Sequence, residues 1–153
     1  MTKLFFEDIV LNAVTTFAPY HVDGGEMLEF NRLWDRLPVH TDDAAARLLG
    51  HRGIIASGQF TLCIKQHFIN KADWRDAVIG AAGWDEVRFH RPVYPGDEIS
   101  ASIRCVDKIE SRSKPDRGVV KFEIVLINQD NEIVLSLIDS VMLKKKRTPG
   151  LPD

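Results

Sequence analysis

Residues 58–69 read GQFTLCIKQHFI, and this mainly apolar stretch decides how the rest of the chain can be arranged. Phe60, Ile64 and Phe68 recur in it at helical spacing. A helix that is apolar around most of its surface is stable when it is buried. The pattern therefore predicts a helix over residues 58–69 at the buried centre of the fold.

The sequence that follows Glu86 changes to a period of two, which is typical of strands. The alternating runs are Val87–Phe89, Ile99–Cys105, Val119–Ile127 and Ile133–Leu143. Turn-forming clusters at residues 92–97, 115–118 and 128–131 separate these runs. We expect an antiparallel meander with one face packed on the apolar helix, which is an α+β architecture.

The first half of the chain is predicted to be mostly helix and loop. Asp23 opens a capping-box pattern, which predicts a helix that ends near Trp34. Pro38 prevents this helix from continuing, because proline lacks the amide hydrogen that an inner helical position needs. Thr41 is predicted to cap a second short helix.

The bulk composition is ordinary for a globular protein. The chain has 153 residues, 44% hydrophobic residues, a formal net charge of −2 and a pI of about 6.2. This charge gives no general attraction to nucleic acid or to an anionic membrane, so neither is expected as a partner. No stretch has the length of a membrane span or of a signal peptide, and the two cysteines are far apart. We expect a cytoplasmic protein with reduced thiols.

The length and the absence of a linker predict a single domain over residues 1–153. A basic run, Lys144–Arg147, precedes the end of the sequence. We interpret residues 144–153 as a basic C-terminal tail that follows the last strand.

One short segment places an acid and a base close together. Asp35 closes the predicted first helix, and a proline-containing turn brings His40 around five residues later. Such a turn can point a carboxylate and an imidazole into one cleft, where they share a water molecule as acid and base. The other histidines are not paired at the spacing of metal ligands, so no metal site is expected. The spacing alone fits an ordinary helix end as well.

Three segments together resemble the MaoC-like and (R)-specific enoyl-CoA hydratase family. Residues 35–40 read DRLPVH and resemble its motif Asp-x-Asn-Pro-hydrophobic-His. Residues 54–58 read IIASG and resemble a hydrophobic pair followed by His-Gly at the start of the central helix. Residues 88–97 read RFHRPVYPGD and resemble a Phe-x-x-Pro-Val-x-x-Gly-Asp strand and turn. The segments occur in the family's order, and the resemblance extends from Phe6 to about Lys144.

The resemblance implies a hot-dog fold, in which an antiparallel sheet wraps around the central helix. It also implies a homodimer or larger homo-oligomer that hydrates a trans-2-enoyl thioester, with coenzyme A as the expected carrier, to a 3-hydroxyacyl thioester without a cofactor. By the same resemblance Asp35 and His40 form the acid–base pair, and the backbone N–H of Gly58 binds the thioester oxygen. Ser57 either contacts the substrate or caps the central helix.

The sequence departs from the family pattern at three positions. Leu37 replaces the motif asparagine, which predicts that a polar group orienting the catalytic loop is missing. Trp34 lies just before Asp35 and predicts a narrower pocket, and Ser57 replaces the usual histidine.

Two other functions stay open from the sequence. A hot-dog thioesterase shares the fold and the acyl-thioester pocket, but residues 58–70 lack the Asp or Glu that such enzymes carry on the central helix. A non-catalytic subunit that binds acyl thioesters is the other alternative, and the change at Leu37 keeps it open.

Overall fold

The computed structural model describes residues 3–146, which form one five-stranded antiparallel sheet with four helices. The strands are β1 (Val14–His21), β2 (Val78–Phe89), β3 (Glu98–Glu110), β4 (Arg117–Ile127) and β5 (Ile133–Lys144). The helices are α1 (Gly24–Trp34), α2 (Pro38–Thr41), α3 (Asp43–Leu48) and α4 (Gly58–Ile69). The strand order is β1-β3-β4-β5-β2, so β1 and β2 are the two edges.

The core lies between α4 and the inner face of the sheet. Phe60, Ile64 and Phe68 on α4 are at most 3% exposed. The inner row of β5 consists of Leu135, Leu137, Asp139, Val141 and Leu143, all of them buried. The predicted α+β architecture and the predicted bounds of the central helix are therefore confirmed.

The two edge strands were predicted poorly. No strand was predicted before Asp23, but the structure has β1 there. The first strand after α4 was predicted to begin near Glu86, whereas β2 begins at Val78. Both strands are exposed over most of their length, so their residues show little alternation between apolar and polar. Bulges also interrupt the pairing of β2 with β5. Weak alternation is expected wherever an edge strand has no continuous buried face.

The residue that caps the second predicted short helix differs from the prediction. Asp42, not Thr41, caps α3, because Asp42 Oδ1 accepts a hydrogen bond from Ala45 N at 3.0 Å. Thr41 is instead the last residue of α2, which begins at Pro38. Proline suits the first position of a helix, where its missing N–H would have had no partner.

The basic run near the end of the sequence is partly fixed to the domain. Lys144 is the last residue of β5, and the amide of Lys145 donates to the carbonyl of Asp116 at 2.8 Å. The ammonium groups of Lys145 and Lys146 form ion pairs with Glu110 and Asp8. Residues 144–146 thus belong to the folded body, and the rest of the predicted tail, residues 147–153, lies outside the described residues.

Within residues 3–146, no helix has the length and apolar character needed to cross a membrane.

Candidate functional site

His40 is held by α2 with a fixed orientation of its ring. The residue is 9% exposed, and its Nδ1–H donates to the carbonyl of Ile55 at 2.9 Å. A carbonyl only accepts, so this bond requires the proton on Nδ1. In the neutral ring, Nε2 is then left with a free lone pair.

Asp35 lies directly after α1 and faces that free nitrogen. Its Oδ2 is 3.7 Å from His40 Nε2, and the two side chains are 21% and 11% exposed. This distance is too long for a direct hydrogen bond. Two acceptors at this separation can both accept a hydrogen bond from one water molecule between them, as general acid–base chemistry requires. The structure therefore brings the predicted pair together.

Asn31 organises the backbone around this pair. Its Nδ2 donates to the carbonyl of His40 at 3.0 Å and to that of Ile55 at 3.2 Å, and its Oδ1 accepts from the amide of Ser57 at 3.2 Å. The residue is fully buried on α1. The expectation that Leu37 leaves the catalytic loop without an orienting polar group is therefore wrong, because Asn31 reaches that loop from the preceding helix.

Sequence reasoning overlooked Asn31 although a signal was present. Asn31 follows Met27 by four residues, and residues at this spacing share one face of a helix. These two residues are the buried ones of α1. A polar residue on a buried helical face has to find partners, so the position alone marks it for attention.

Ser57 and Gly58 form the beginning of α4. Ser57 is fully buried, and its Oγ accepts a hydrogen bond from Phe60 N at 3.1 Å. Its expected role as a helix cap is confirmed, and a contact with substrate stays a prediction. Gly58 is the first residue of the helix, where backbone N–H groups have no partner within the helix and carry partial positive charge.

A side chain at position 58 would collide with β2. A Cβ added to Gly58 would lie 2.9 Å from Cζ of Phe89. Contacts that short require something to move, so the close packing of α4 against β2 depends on glycine here.

A pocket of about 430 Å³ opens beside these residues. Its walls include His40, Gly58, Thr61, Phe89 and Val93. His40 and the predicted oxyanion donor Gly58 thus line one cavity that is large enough for a small ligand group, and Asp35 Oδ2 lies 3.7 Å from the Nε2 atom of His40.

The rim of the pocket carries His51, His90 and Arg91. Trp34 is absent from the walls of this cavity, and its side chain is 69% exposed. The expectation that Trp34 narrows the pocket is wrong, because α1 ends with this side chain directed to solvent.

Two of the histidines outside the pair contact other polar side chains. His21 Nδ1 contacts Glu98 at 2.6 Å, and His90 Nε2 contacts Ser136 Oγ at 2.7 Å. Over residues 3–146, no group of three His, Cys, Asp or Glu side chains is placed to hold a metal ion.

The sequence matches the MaoC like domain family over residues 7–125. The chain therefore belongs to this family. With its antiparallel sheet packed on a central helix it has the hot-dog fold, at a TM-score of 0.85 to the MaoC-like dehydratase from Rhodospirillum rubrum. That structure is 27% identical in sequence, and the match covers 95% of this chain and 99% of the other.

Two relatives are similar to this chain in sequence. It is 28% identical over 125 residues to the uncharacterized protein YdeM of Bacillus subtilis, covering 81% of this chain and 87% of that protein. It is 29% identical over 149 residues to a mesaconyl-CoA hydratase of Cereibacter sphaeroides. That match covers 94% of this chain but only 42% of the hydratase, so the chain spans less than half of that relative. The chain belongs to this family, and a hydratase is among its relatives. A hydro-lyase activity is therefore the general expectation.

Proposed function

We propose that this protein is a hydratase or dehydratase that adds water reversibly to a trans-2-enoyl thioester and gives a 3-hydroxyacyl thioester. The observation that carries the proposal is the pair formed by Asp35 Oδ2 and His40 Nε2, 3.7 Å apart at a pocket that Gly58 also lines. The reaction needs a base for water, a proton for carbon and a positive group for the thioester oxygen. These residues provide all three.

The acid–base part assigns one water molecule to Asp35 and His40. In the direction of hydration, the water oxygen bonds to C3 of the substrate while one water proton passes to the pair. A proton from the pair then goes to C2, so the pair ends in the state in which it began and one water is added. Positioned groups of this kind contribute about 10²–10⁴-fold in rate. The bond from His40 Nδ1 to Ile55 keeps Nε2 directed at the water throughout.

The electrostatic part assigns the thioester oxygen to the amide of Gly58. Negative charge develops on this oxygen when water attacks C3. An N–H at the first turn of the twelve-residue helix α4 offers a hydrogen bond together with the positive end of the helix dipole.

Coenzyme A is the carrier that the surroundings favour. Among the rim residues His51, His90 and Arg91, Arg91 carries a positive charge, and coenzyme A carries several phosphate charges. The relative from Cereibacter sphaeroides is named for a coenzyme A thioester. We infer that the phosphates lie along this rim while the acyl group enters the pocket.

We infer that the working form is a homodimer that meets at β2. This edge strand has twelve residues and exposes Trp84 and Phe89 at 46% and 54%. A long exposed edge with large apolar side chains is normally covered, whereas β1 is shorter and contains Pro19, which cannot donate to a neighbouring strand. Light scattering in solution should give about twice the 17.3 kDa of one chain, and a mass of one chain contradicts this inference. The location in the cytoplasm remains a prediction.

The first experiment follows the loss of ultraviolet absorbance of trans-2-enoyl-CoA substrates with short, medium and branched acyl groups. We expect the wild type to hydrate at least one of them, and Asp35→Asn and His40→Ala each to lower kcat by about 10²–10⁴-fold. The loss has a physical reason, since each variant removes one of the two groups that hold the water.

Matched controls are available on the surface. Asp73→Asn and His21→Ala make the same types of change at exposed positions and should keep the wild-type rate. The hydratase proposal fails if the wild type hydrates none of the substrates. The assignment of the pair fails if Asp35→Asn and His40→Ala behave like the controls.

A further inference from the structure

Phe89 is the largest apolar side chain in the wall of the pocket at Gly58. It is the last residue of β2, and 54% of its surface is exposed. Contact with a ligand buries such surface, and burial of an aromatic ring is favourable. The exposed part of the ring is therefore suited to pack against an apolar group in this pocket.

The tip of the Phe89 ring lies against Gly58 at the beginning of α4. Three ring atoms, Cζ, Cε1 and Cε2, lie 2.9, 3.2 and 3.3 Å from the position that a Cβ on Gly58 would take. The ring therefore already occupies the space between Gly58 and β2. A group that binds at the Gly58 amide has to use the rest of the pocket, which His40, Thr61 and Val93 border.

The backbone around Phe89 is fixed on the neighbouring strand. Phe89 pairs with Leu135 of β5, and the amide of the next residue, His90, donates to the carbonyl of Val134 at 3.0 Å. The His90 ring also contacts Ser136 Oγ at 2.7 Å. A side chain on a paired strand is placed more precisely than one on a loop. The Phe89 ring therefore forms a defined wall of the pocket.

We propose that Phe89 limits the bulk of the acyl group next to the thioester carbon. The inference rests on the proposed function, because it assumes that the thioester oxygen binds at the Gly58 amide. A hydrogen-bonded oxygen lies about 3 Å from that nitrogen, and C2 of the acyl group is only two bonds from the oxygen. C2 therefore stays near the Phe89 ring. A straight chain packs on the ring, whereas a bulky branch at C2 collides with it.

Binding of two saturated acyl-CoA compounds tests this proposal without depending on turnover. Calorimetry would compare butyryl-CoA with cyclohexanecarbonyl-CoA, which carries a hydrocarbon ring directly on the thioester carbon. We expect the wild type to bind butyryl-CoA at least about tenfold more tightly. Phe89→Ala should bind cyclohexanecarbonyl-CoA at least about tenfold more tightly than the wild type does, because alanine leaves room for a ring beside Gly58.

The control variant is Trp84→Ala, which truncates another exposed aromatic side chain of β2 outside this pocket. It should keep the wild-type preference, and light scattering checks that both variants keep the wild-type mass. Equal or tighter binding of cyclohexanecarbonyl-CoA by the wild type overturns the proposal by itself, so the test does not require Phe89→Ala to fold. An unchanged preference in folded Phe89→Ala also overturns it, as does an equal gain in Trp84→Ala.

Hydration measured beside binding separates this inference from the proposed function. If the expected preference is found but no trans-2-enoyl-CoA substrate is hydrated, the limit set by Phe89 stands and the hydratase function fails. If trans-2-butenoyl-CoA is hydrated but the two saturated compounds bind equally, the hydratase function stands and the limit set by Phe89 fails. Failure to bind either saturated compound overturns both.

Discussion

Two buried polar clusters contact α4, one at its first turn and one at Lys65, and they satisfy their polar groups in different ways. The Asn31 cluster consists of Asn31, His40, Ile55 and Ser57, and it is built from neutral groups with each hydrogen bond directed at backbone. The Lys65 pair consists of Lys65 and Asp139 and is built from full charges, with one oxygen left unpaired.

The difference separates a cluster that positions a loop from a charged pair that belongs to the core. The Asn31 cluster has all polar atoms of its central side chain engaged, which fixes the loop that carries the catalytic candidates. The Lys65 pair holds two charged groups 3.0 Å apart inside the core, where each depends on the other as its partner. Damage to the Lys65 pair should therefore change mainly stability, whereas damage to the Asn31 cluster should also change the rate.

The largest effect is expected from breaking the Lys65 pair on one side only. Lys65→Met leaves Asp139 as a buried charge without a partner, which should lower the free energy of unfolding by about 3–5 kcal/mol. The double variant with Asp139→Leu should recover most of this loss, because no isolated charge remains. Urea unfolding of wild type, both single variants and the double variant gives the coupling between the two positions.

Additive losses in that series would contradict the interpretation of the two residues as one pair. Lys71→Met, at an exposed position just beyond α4, is the matched control, and it should stay close to the wild-type stability.

A smaller effect on stability, combined with a specific effect on rate, is expected at Asn31. Asn31→Ala leaves two backbone groups unpaired, at His40 and Ser57, and removes one of the two hydrogen bonds to the Ile55 carbonyl, so it should cost about 2–4 kcal/mol in the free energy of unfolding. Because the His40 loop also loses its anchor, kcat should fall roughly 10- to 100-fold at a temperature where the variant is folded. Steady-state kinetics measures kcat and KM of the variant.

The ratio of the two kinetic parameters distinguishes positioning from simple loss of stability. A positioning role lowers kcat and leaves KM nearly unchanged, whereas a fully folded variant with wild-type kcat would show that Asn31 is only structural. Asn70→Ala, at the exposed end of α4, makes the same substitution outside the cluster.

The sequence predicted the parts of the fold whose burial alternates regularly. In β3, β4 and β5 most inner residues are buried and their neighbours are not, so the period of two is visible in the letters. The edge strands β1 and β2 lack this contrast. Their place is set by pairing with β3 and β5, which are distant in sequence, so local pattern could not define them.

For the candidate site, the sequence predicted what the motif itself contains. Asp35, His40 and Gly58 were assigned from family resemblance; in the structure His40 and Gly58 line one pocket, and Asp35 lies 3.7 Å from His40 Nε2. Asn31 and Lys65 were missed because their importance depends on partners 9 to 74 residues away. Lysine is also usually exposed, so its position on the buried face of α4 was not taken as a signal.

The smallest effect is expected at Ser57, the member of the Asn31 cluster that also caps α4. If its hydroxyl serves only as the cap of α4, Ser57→Ala should cost about 1 kcal/mol in the free energy of unfolding and leave KM unchanged. If the hydroxyl also contacts the substrate, KM should rise as well. Thermal unfolding and kinetics on Ser57→Ala separate these roles, with Ser57→Thr as the variant that keeps a capping oxygen. If KM rises in Ser57→Ala but not in Ser57→Thr, the hydroxyl contacts the substrate. The Asn31 cluster would then bind the substrate as well as position the loop, because Ser57 would contact both Asn31 and the substrate.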